Sequence, residues 1–285
     1  MPVMRLYPNG MSAGVPPRVN NHVRAKRGEV EGWSDSATRS NLRFLYSVSA
    51  PDLQGGTGYG VTLTVRNCPA TAQDWSKVRR AFMERMRRLG MIRMHWVTEW
   101  QRRGVPHLHA AIWLPANVPN ADSLIRGHWM DLCADLYGAG HRGQYVLPIT
   151  DTVGWFQYLS KHAARGASHY QRSALGIPEG WKKKTGRMWG HLGDWPVKER
   201  QRVEMDDAGY YAMRRIVRAW RYADARSDND PAKRKSRMLS ARRMLSNKDR
   251  VISSLRGVSE WINLDMSNAI CFHLASRGFV VAWTD

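Results

Sequence analysis

His107-Leu108-His109 is the part of this chain whose spacing most directly suggests chemistry. On a strand, residues i and i+2 leave the same face, so both imidazoles stand side by side while Leu108 turns to the core. Two adjacent imidazoles can hold one divalent cation. Glu99 falls on the polar face of the preceding strand, across a short turn, where a carboxylate oxygen can join them. Two imidazoles and one carboxylate make a facial ligand set with open positions, suited to catalysis or substrate binding. His95 shares that face and is a weaker fourth candidate. Tyr158 and Lys161 form a second pair. On a helix, Tyr158, Lys161, His162 and Arg165 share one basic face, opposite Trp155, Phe156, Leu159 and Ala163. An ammonium beside a phenol lowers a pKa of about 10 and favours the phenolate, a competent nucleophile.

These residues need elements to hold them. Gly60–Arg66 alternates strictly, with Val61, Leu63 and Val65 on one side and Thr62, Thr64 and Arg66 on the other. Thr71–Leu89 predicts a helix with Trp75, Val78, Phe82, Met86 and Leu89 as its apolar stripe, Arg79 and Arg80 mostly outside it, and Gly90 as its stop. Strands are expected over Ile92–Trp100 and His107–Leu114, joined by the turn Gln101–Gly104. Further helices are expected after the cap Ser34, from Asn120 to about Leu136, and from Asp151 or Thr152 to about Arg165, with a short strand at Tyr145–Ile149. The expected fold is α+β: a central antiparallel, ferredoxin-like or RRM-like sheet with helices on one face and a polar second face left open for the site.

Residues 1–32 are expected to be a flexible basic arm, 33–197 the domain carrying the site, and 198–285 a basic, mainly helical region. In that last region helix is predicted from Val203 to Ala225, and 227–250 is strongly basic. The 44 Lys and Arg against 24 Asp and Glu give a formal charge of +20. Such an excess calls for a polyanion, nucleic acid or an anionic membrane surface. No apolar run approaches the ~20 residues that span a bilayer, and no signal peptide opens the chain, so neither a membrane protein nor a secreted one is expected. Three scattered cysteines, Cys68, Cys133 and Cys271, suit a reducing cytoplasm rather than a disulfide framework. Trp96, Trp100 and Trp113 are open to two roles, core filling or stacking on extruded bases.

The ordered set Val61-Thr-Leu-Thr-Val65, Pro106-His-Leu-His109 and Tyr158-Leu-Ser-Lys161 resembles the three motifs of rolling-circle replication initiators in the HUH endonuclease superfamily. More narrowly, Gly32-Trp33-Ser34, Arg103-Gly-Val-Pro-His-Leu-His109 and Gly186-Arg-Met-Trp-Gly190 are similar to motifs in replication proteins of small single-stranded DNA phages and related plasmids. The resemblance covers about residues 28–197. It implies an HUH core in which His107, His109 and Glu99 bind Mg²⁺ or Mn²⁺ and Tyr158 attacks a phosphodiester, with Lys161 tuning the phenol, holding the phosphate, or both. It implies single-stranded or supercoiled origin DNA as partner, host helicase and polymerase as accessories, and the bacterial cytoplasm as location. Members with paired nucleophiles carry a second Tyr one turn on; here that position is His162, so a single-tyrosine enzyme is expected.

Arg165, Lys182, Lys183, Lys184, Arg187 and Trp189 are candidate DNA contacts, with Arg187 and Trp189 equally able to close the sheet. Lys233–Arg243 is a candidate phosphate-contacting stretch. No phosphate-binding loop of the Gly-x-x-x-x-Gly-Lys-Ser/Thr form is present, so no helicase domain is fused here. Two other readings compete: a single-tyrosine transposase of the same superfamily, and a non-enzymatic protein with an RRM-like sheet. The latter wants exposed Phe or Tyr where this chain has His and Glu.

Overall fold

The computed structural model describes residues 1–15, 32–161, 169–171, 177–182, 184–243 and 257–284. In chain order the elements are β1 (Val3–Tyr7), β2 (Gly10–Gly14), α1 (Asp35–Ser47), β3 (Thr57–Thr64), α2 (Ala72–Arg88), β4 (Arg93–Trp100), β5 (Pro106–Leu114), α3 (Ala121–Tyr137), β6 (Tyr145–Pro148), α4 (Thr152–Leu159), β7 (Trp189–Gly193), β8 (Gln201–Met205), α5 (Asp207–Arg226), α6 (Pro231–Arg243), β9 (Val258–Glu260), α7 (Leu264–Ser276) and β10 (Val281–Thr284). The fold is α+β, with two five-stranded antiparallel sheets. They belong to two compact units: described residues of 25–45 and 49–197 in one, and of 1–24, 46–48 and 198–285 in the other.

The larger unit carries the sheet β6-β3-β5-β4-β7. Strict alternation in β3 and β5 buries Val61, Leu63, Leu108, Ala110 and Ile112. Helices α2 and α3 cover that face with Trp75, Phe82, Met86, Ile125 and Trp129. Thr71 caps α2 by accepting from the Asp74 amide at 3.2 Å, and Asp151 caps α4 by accepting from Gly154 at 2.9 Å. Trp96, Trp100 and Trp113 are all buried, which settles their two open roles in favour of the core. Arg79, expected outside the α2 stripe, is also buried. Its guanidinium lies 3.9 Å from the Trp96 ring centroid and donates to the Arg187 carbonyl at 3.2 Å.

The second face of this sheet is not open, contrary to expectation. Its polar end carries Glu99, His107, His109 and Thr62, while its other end carries Val97, Ala111 and Trp113. That apolar end needs cover, and α1 brings it through Phe44, α4 through Phe156, and the segment after β7 through Trp195. The motif residues have local reasons. Trp33 donates to the Thr98 carbonyl at 2.9 Å, and Ser34 caps α1 through Ala37 at 3.1 Å. Arg103 pins the β4–β5 turn to the end of β3 by donating to Val65 at 2.5 Å and Arg66 at 2.9 Å. At Gly190 a Cβ would sit 2.8 Å from the Trp96 ring, so only glycine fits opposite that indole.

The smaller unit corrects the sequence reading most. Residues expected as a flexible arm form the β1–β2 hairpin, and β1 is the central strand of the sheet β10-β8-β1-β2-β9. Met4, Leu6 and Met11 supply its core with Val203, Met205, Met213 and Leu274. The 198–285 region is mainly helical among its described residues, as expected, but it also contributes three short strands. Val203 lies in β8, between β1 and β10, and helix starts only after Asp206, whose carboxylate accepts from the Gly209 amide at 2.7 Å. Residues 16–31 and 244–256, parts of the expected arm and basic stretch, lie outside the described residues. No described helix is long and apolar enough to cross a membrane.

Candidate metal and nucleophile site

Strand register brings the predicted groups together. In the β4–β5 pair Glu99 lies directly opposite His107, and in the β3–β5 pair Thr62 lies opposite His109. Both histidine Nε2 atoms face one carboxylate oxygen, each 3.4 Å from Glu99 Oε2. Both Nδ1 atoms are engaged by side chains on neighbouring segments: Thr62 Oγ1 at 2.8 Å from His109, and Gln101 Nε2 at 3.2 Å from His107. Among the described residues, Glu99, His107 and His109 are the group of His, Cys, Asp or Glu able to hold a metal, with ligand atoms within 4.8 Å of one another.

The donor set suits a divalent cation. Nitrogen and carboxylate donors converge, and the outer imidazole nitrogens are oriented by other groups, as they are where histidine ligates. Burial pushes the His109 imidazole down to about 4, helped by His107 and Lys161 and opposed by Glu99. It is therefore neutral at physiological pH, the form that ligates. A carboxylate with no exposure is costly unless compensated. Lys161 Nζ sits 2.9 Å from Glu99 Oε1, and Gln171 Nε2 donates to Oε2 at 2.7 Å. Gln171 is itself buried, and its Oε1 has no hydrogen-bond partner, a polar atom left over beside the ligands.

Tyr158 stands at the mouth of this group. Its hydroxyl is 3.2 Å from His109 Nε2, and the two rings meet edge to face at 4.9 Å. The residue is 37% exposed, so it stands at the surface while its ring is held. Trp155 stacks on it at 5.0 Å, and Lys161 Nζ lies 3.8 Å from its ring centroid. Lys161 stands where helical spacing put it, against that ring, although off the helix. Helix α4 ends at Leu159, where Ser160 caps it, and Lys161 begins the next turn, folding back to Glu99. His162 and Arg165 lie outside the described residues.

Asn41 of α1 was not a candidate from sequence, yet it seats the tyrosine's helix. It accepts from His95 Nε2 at 2.7 Å and donates to the Leu159 carbonyl at 3.1 Å, tying α1, β4 and the end of α4 together. His95 is thus a buried structural group, not a fourth ligand. Nothing local in the sequence marks Asn41 or Gln171. Nor was Thr62 singled out, because the β3–β5 pairing that sets it opposite His109 joins strands that are not consecutive.

The candidate DNA contacts are not gathered at this site. Lys182 is exposed and ion-paired with Glu179, Lys184 and Arg187 are exposed, and Lys183 is outside the described residues. Trp189 pairs in register with Val97 and packs near Phe44, so it closes the sheet edge. An RRM-like open platform is absent from the described face, because α1 and α4 cover its apolar end.

Comparisons with known proteins show which family the sequence resembles. Residues 59–218 match the replication-associated protein ORF2/G2P family. A protein of Xylella fastidiosa strain 9a5c that carries the name of a replication protein is 50% identical over 287 residues, 99% of each chain. The replication-associated protein G2P of Pseudomonas phage Pf3 is 50% identical over 257 residues, 90% of each chain. No solved structure matches the chain.

Proposed function

The chain belongs to the replication-associated protein ORF2/G2P family, and on that footing we propose that it starts rolling-circle replication by nicking one strand at an origin. The observation that carries the reading is the phenol oxygen of the partly exposed Tyr158, 3.2 Å from an imidazole of the His107–His109–Glu99 group. Those three residues would hold Mg²⁺ or Mn²⁺, which when bound supplies Lewis-acid relief of charge on the scissile phosphate. The chain's own residues do the rest. The Tyr158 oxygen attacks phosphorus in line, forming a P–O bond to tyrosine as the P–O3′ bond breaks. The phenol gives its proton to solvent and the departing 3′ oxygen takes one from solvent, so the step is balanced. A 5′-phosphotyrosine and a free 3′-OH result, the latter a primer for a polymerase. Because the bond is exchanged rather than hydrolysed, a later 3′-OH can reverse the step and rejoin the strand.

Lys161 is placed for two tasks. Its ammonium neutralises Glu99 and stands over the Tyr158 ring, where it can also meet a phosphate oxygen. Trp155 and the α4 seat hold the phenol in one orientation, which lowers the entropic cost of attack. The test is covalent trapping. The protein and its Tyr158→Phe variant are mixed with tiled single-stranded oligonucleotides from its replicon, with Mn²⁺ or EDTA, and resolved on denaturing gels. A Mn²⁺-dependent adduct absent from the Phe variant is expected. Adduct formation by the Phe variant, or none on any tile despite tight DNA binding, would overturn the reading.

A further inference from the structure

The smaller unit holds a groove that the nicking site leaves unexplained. It lies between α5 and α6, with a volume of about 360 Å³. Its floor is apolar: Tyr222 from α5, and Pro231, Met238 and Leu239 from α6. Arg234, Lys235 and Arg242, all exposed, line it as well. Fully buried Ala225 and Ala241 let the two helices approach closely. Leu239 is nonetheless 41% exposed in the groove, an apolar surface with no cover among the described residues.

The charges of this hairpin sort into two groups. Arg237 is structural: it pairs with Asp224 at 3.0 Å and with Asp228 at 3.2 Å, fastening α6 to α5. Those two acids are thereby used. Helix α6 has six Lys and Arg and no Asp or Glu. Lys235 and Arg242 make no ion pair among the described residues. They lie seven residues apart, on one side of the helix, with Leu239 between them. A helix so charged is destabilised by like-charge neighbours until a counter-ion arrives.

We propose that the α5–α6 groove is a binding site for unpaired DNA, with a base resting on Tyr222 and the apolar floor while Lys235 and Arg242 hold flanking phosphates. Cations beside an aromatic floor are what a single strand uses, since every base offers a stacking face. A duplex would meet the cations alone, because its bases are already stacked. The inference rests on the reading of this chain as a protein that handles a nicked strand. It adds a second grip on that strand, distinct in sequence and chemistry from the Tyr158 site.

The test is fluorescence anisotropy of the full chain with a short fluorescein-labelled oligothymidylate across a salt series. Tyr222→Ala is expected to weaken binding about tenfold, and Tyr222→Trp to restore it. Lys235→Gln with Arg242→Gln, both at exposed positions, should lower the slope of log K against log salt by about 1.4, two phosphates at ~0.7 each. Iodouridine oligonucleotides should photo-crosslink to Tyr222. Adduct formation at Tyr158 on a short cleavage oligonucleotide, measured on the same variants, should persist, so a failed nicking hypothesis and a failed groove hypothesis give different patterns. Unchanged affinity and slope in these variants would overturn the proposal. So would loss of binding to an acidic, Phe-containing peptide with oligothymidylate binding intact, which would make the groove a protein-docking site.

Discussion

His95 gives a stability prediction whose size follows from its surroundings. The imidazole has no exposure, and Phe44 stacks on it at 5.6 Å. Its Nε2 donates to Asn41, whose amide in turn donates to Leu159, so that nitrogen keeps its proton. Its Nδ1 has no partner, so a second proton would enter an apolar pocket with no acceptor. Burial, with a further push from His191, takes its pKa from 6.5 to about 3. The folded state therefore refuses a proton that the unfolded chain takes up below pH 6.5. Stability is complete above that value and falls as pH falls, levelling off near pH 3. At pH 5 the loss is about 2 kcal/mol, one and a half pH units at ~1.36 kcal/mol each. His109, pushed down to about 4, adds a parallel loss of about the same size at pH 5. Urea unfolding in EDTA should thus show the larger unit losing about 4 kcal/mol between pH 7 and pH 5, a large share of an ordinary domain's stability. His95→Gln can still donate to Asn41 but does not titrate, and should halve that loss, a difference of roughly 1 M urea at pH 5. Equal losses for the two proteins would refute the burial argument.

Other variants probe the site piece by piece. Glu99→Gln should abolish Mn²⁺ binding in calorimetry and cost about 3 kcal/mol, because the Lys161 ammonium loses its buried partner; adding Lys161→Met should recover stability but not Mn²⁺ binding. Asn41→Ala leaves His95 Nε2 and the Leu159 carbonyl unpaired, for a loss of about 2–4 kcal/mol by chemical denaturation. Its covalent adduct should form more slowly even where the protein is fully folded. Gly60→Ala puts a Cβ 3.0 Å from the Trp155 ring, which stacks on Tyr158, so the adduct rate should fall with only a small change in melting temperature. Intact adduct kinetics in Gly60→Ala would mean that Trp155 does not orient the phenol.

What was legible in the sequence was whatever repeats locally. The His107–His109 spacing and the turn before it fix the β4–β5 hairpin register, and that register sets Glu99 opposite His107, whereas the β3–β5 pairing that sets Thr62 opposite His109 joins strands that are not consecutive. The stripe of α2 was equally plain, yet Arg79 escaped it, because an arginine can bury its stem and lay its guanidinium on Trp96. The smaller unit was illegible for a different reason. Its central strand β1 comes from the first residues, while β8 beside it and β10 beyond come from residues past 200, so no local pattern shows that side of the sheet. Short runs rich in Gly and Pro look like a tether when the strand that completes them is nearly two hundred residues away.

Lys161 stands where helical spacing from Tyr158 put it, against the tyrosine ring, although α4 stops at Leu159 and Lys161 lies in the turn that follows. What fixes it there is Glu99, a carboxylate so deeply buried that it needs an ammonium and an amide beside it. The acid that would hold a cation is therefore also the anchor for the cation beside Tyr158. A divalent ion drawing on Glu99 would weaken the claim of that carboxylate on Lys161 and leave the ammonium free to meet the phosphate that, on the proposed function, Tyr158 would attack. If so, Mn²⁺ should raise the reactivity of Lys161 toward amine-modifying reagents in Tyr158→Phe protein without DNA, and oligonucleotide should lower it again. Modification that ignores Mn²⁺ would mean that Lys161 answers to Glu99 alone.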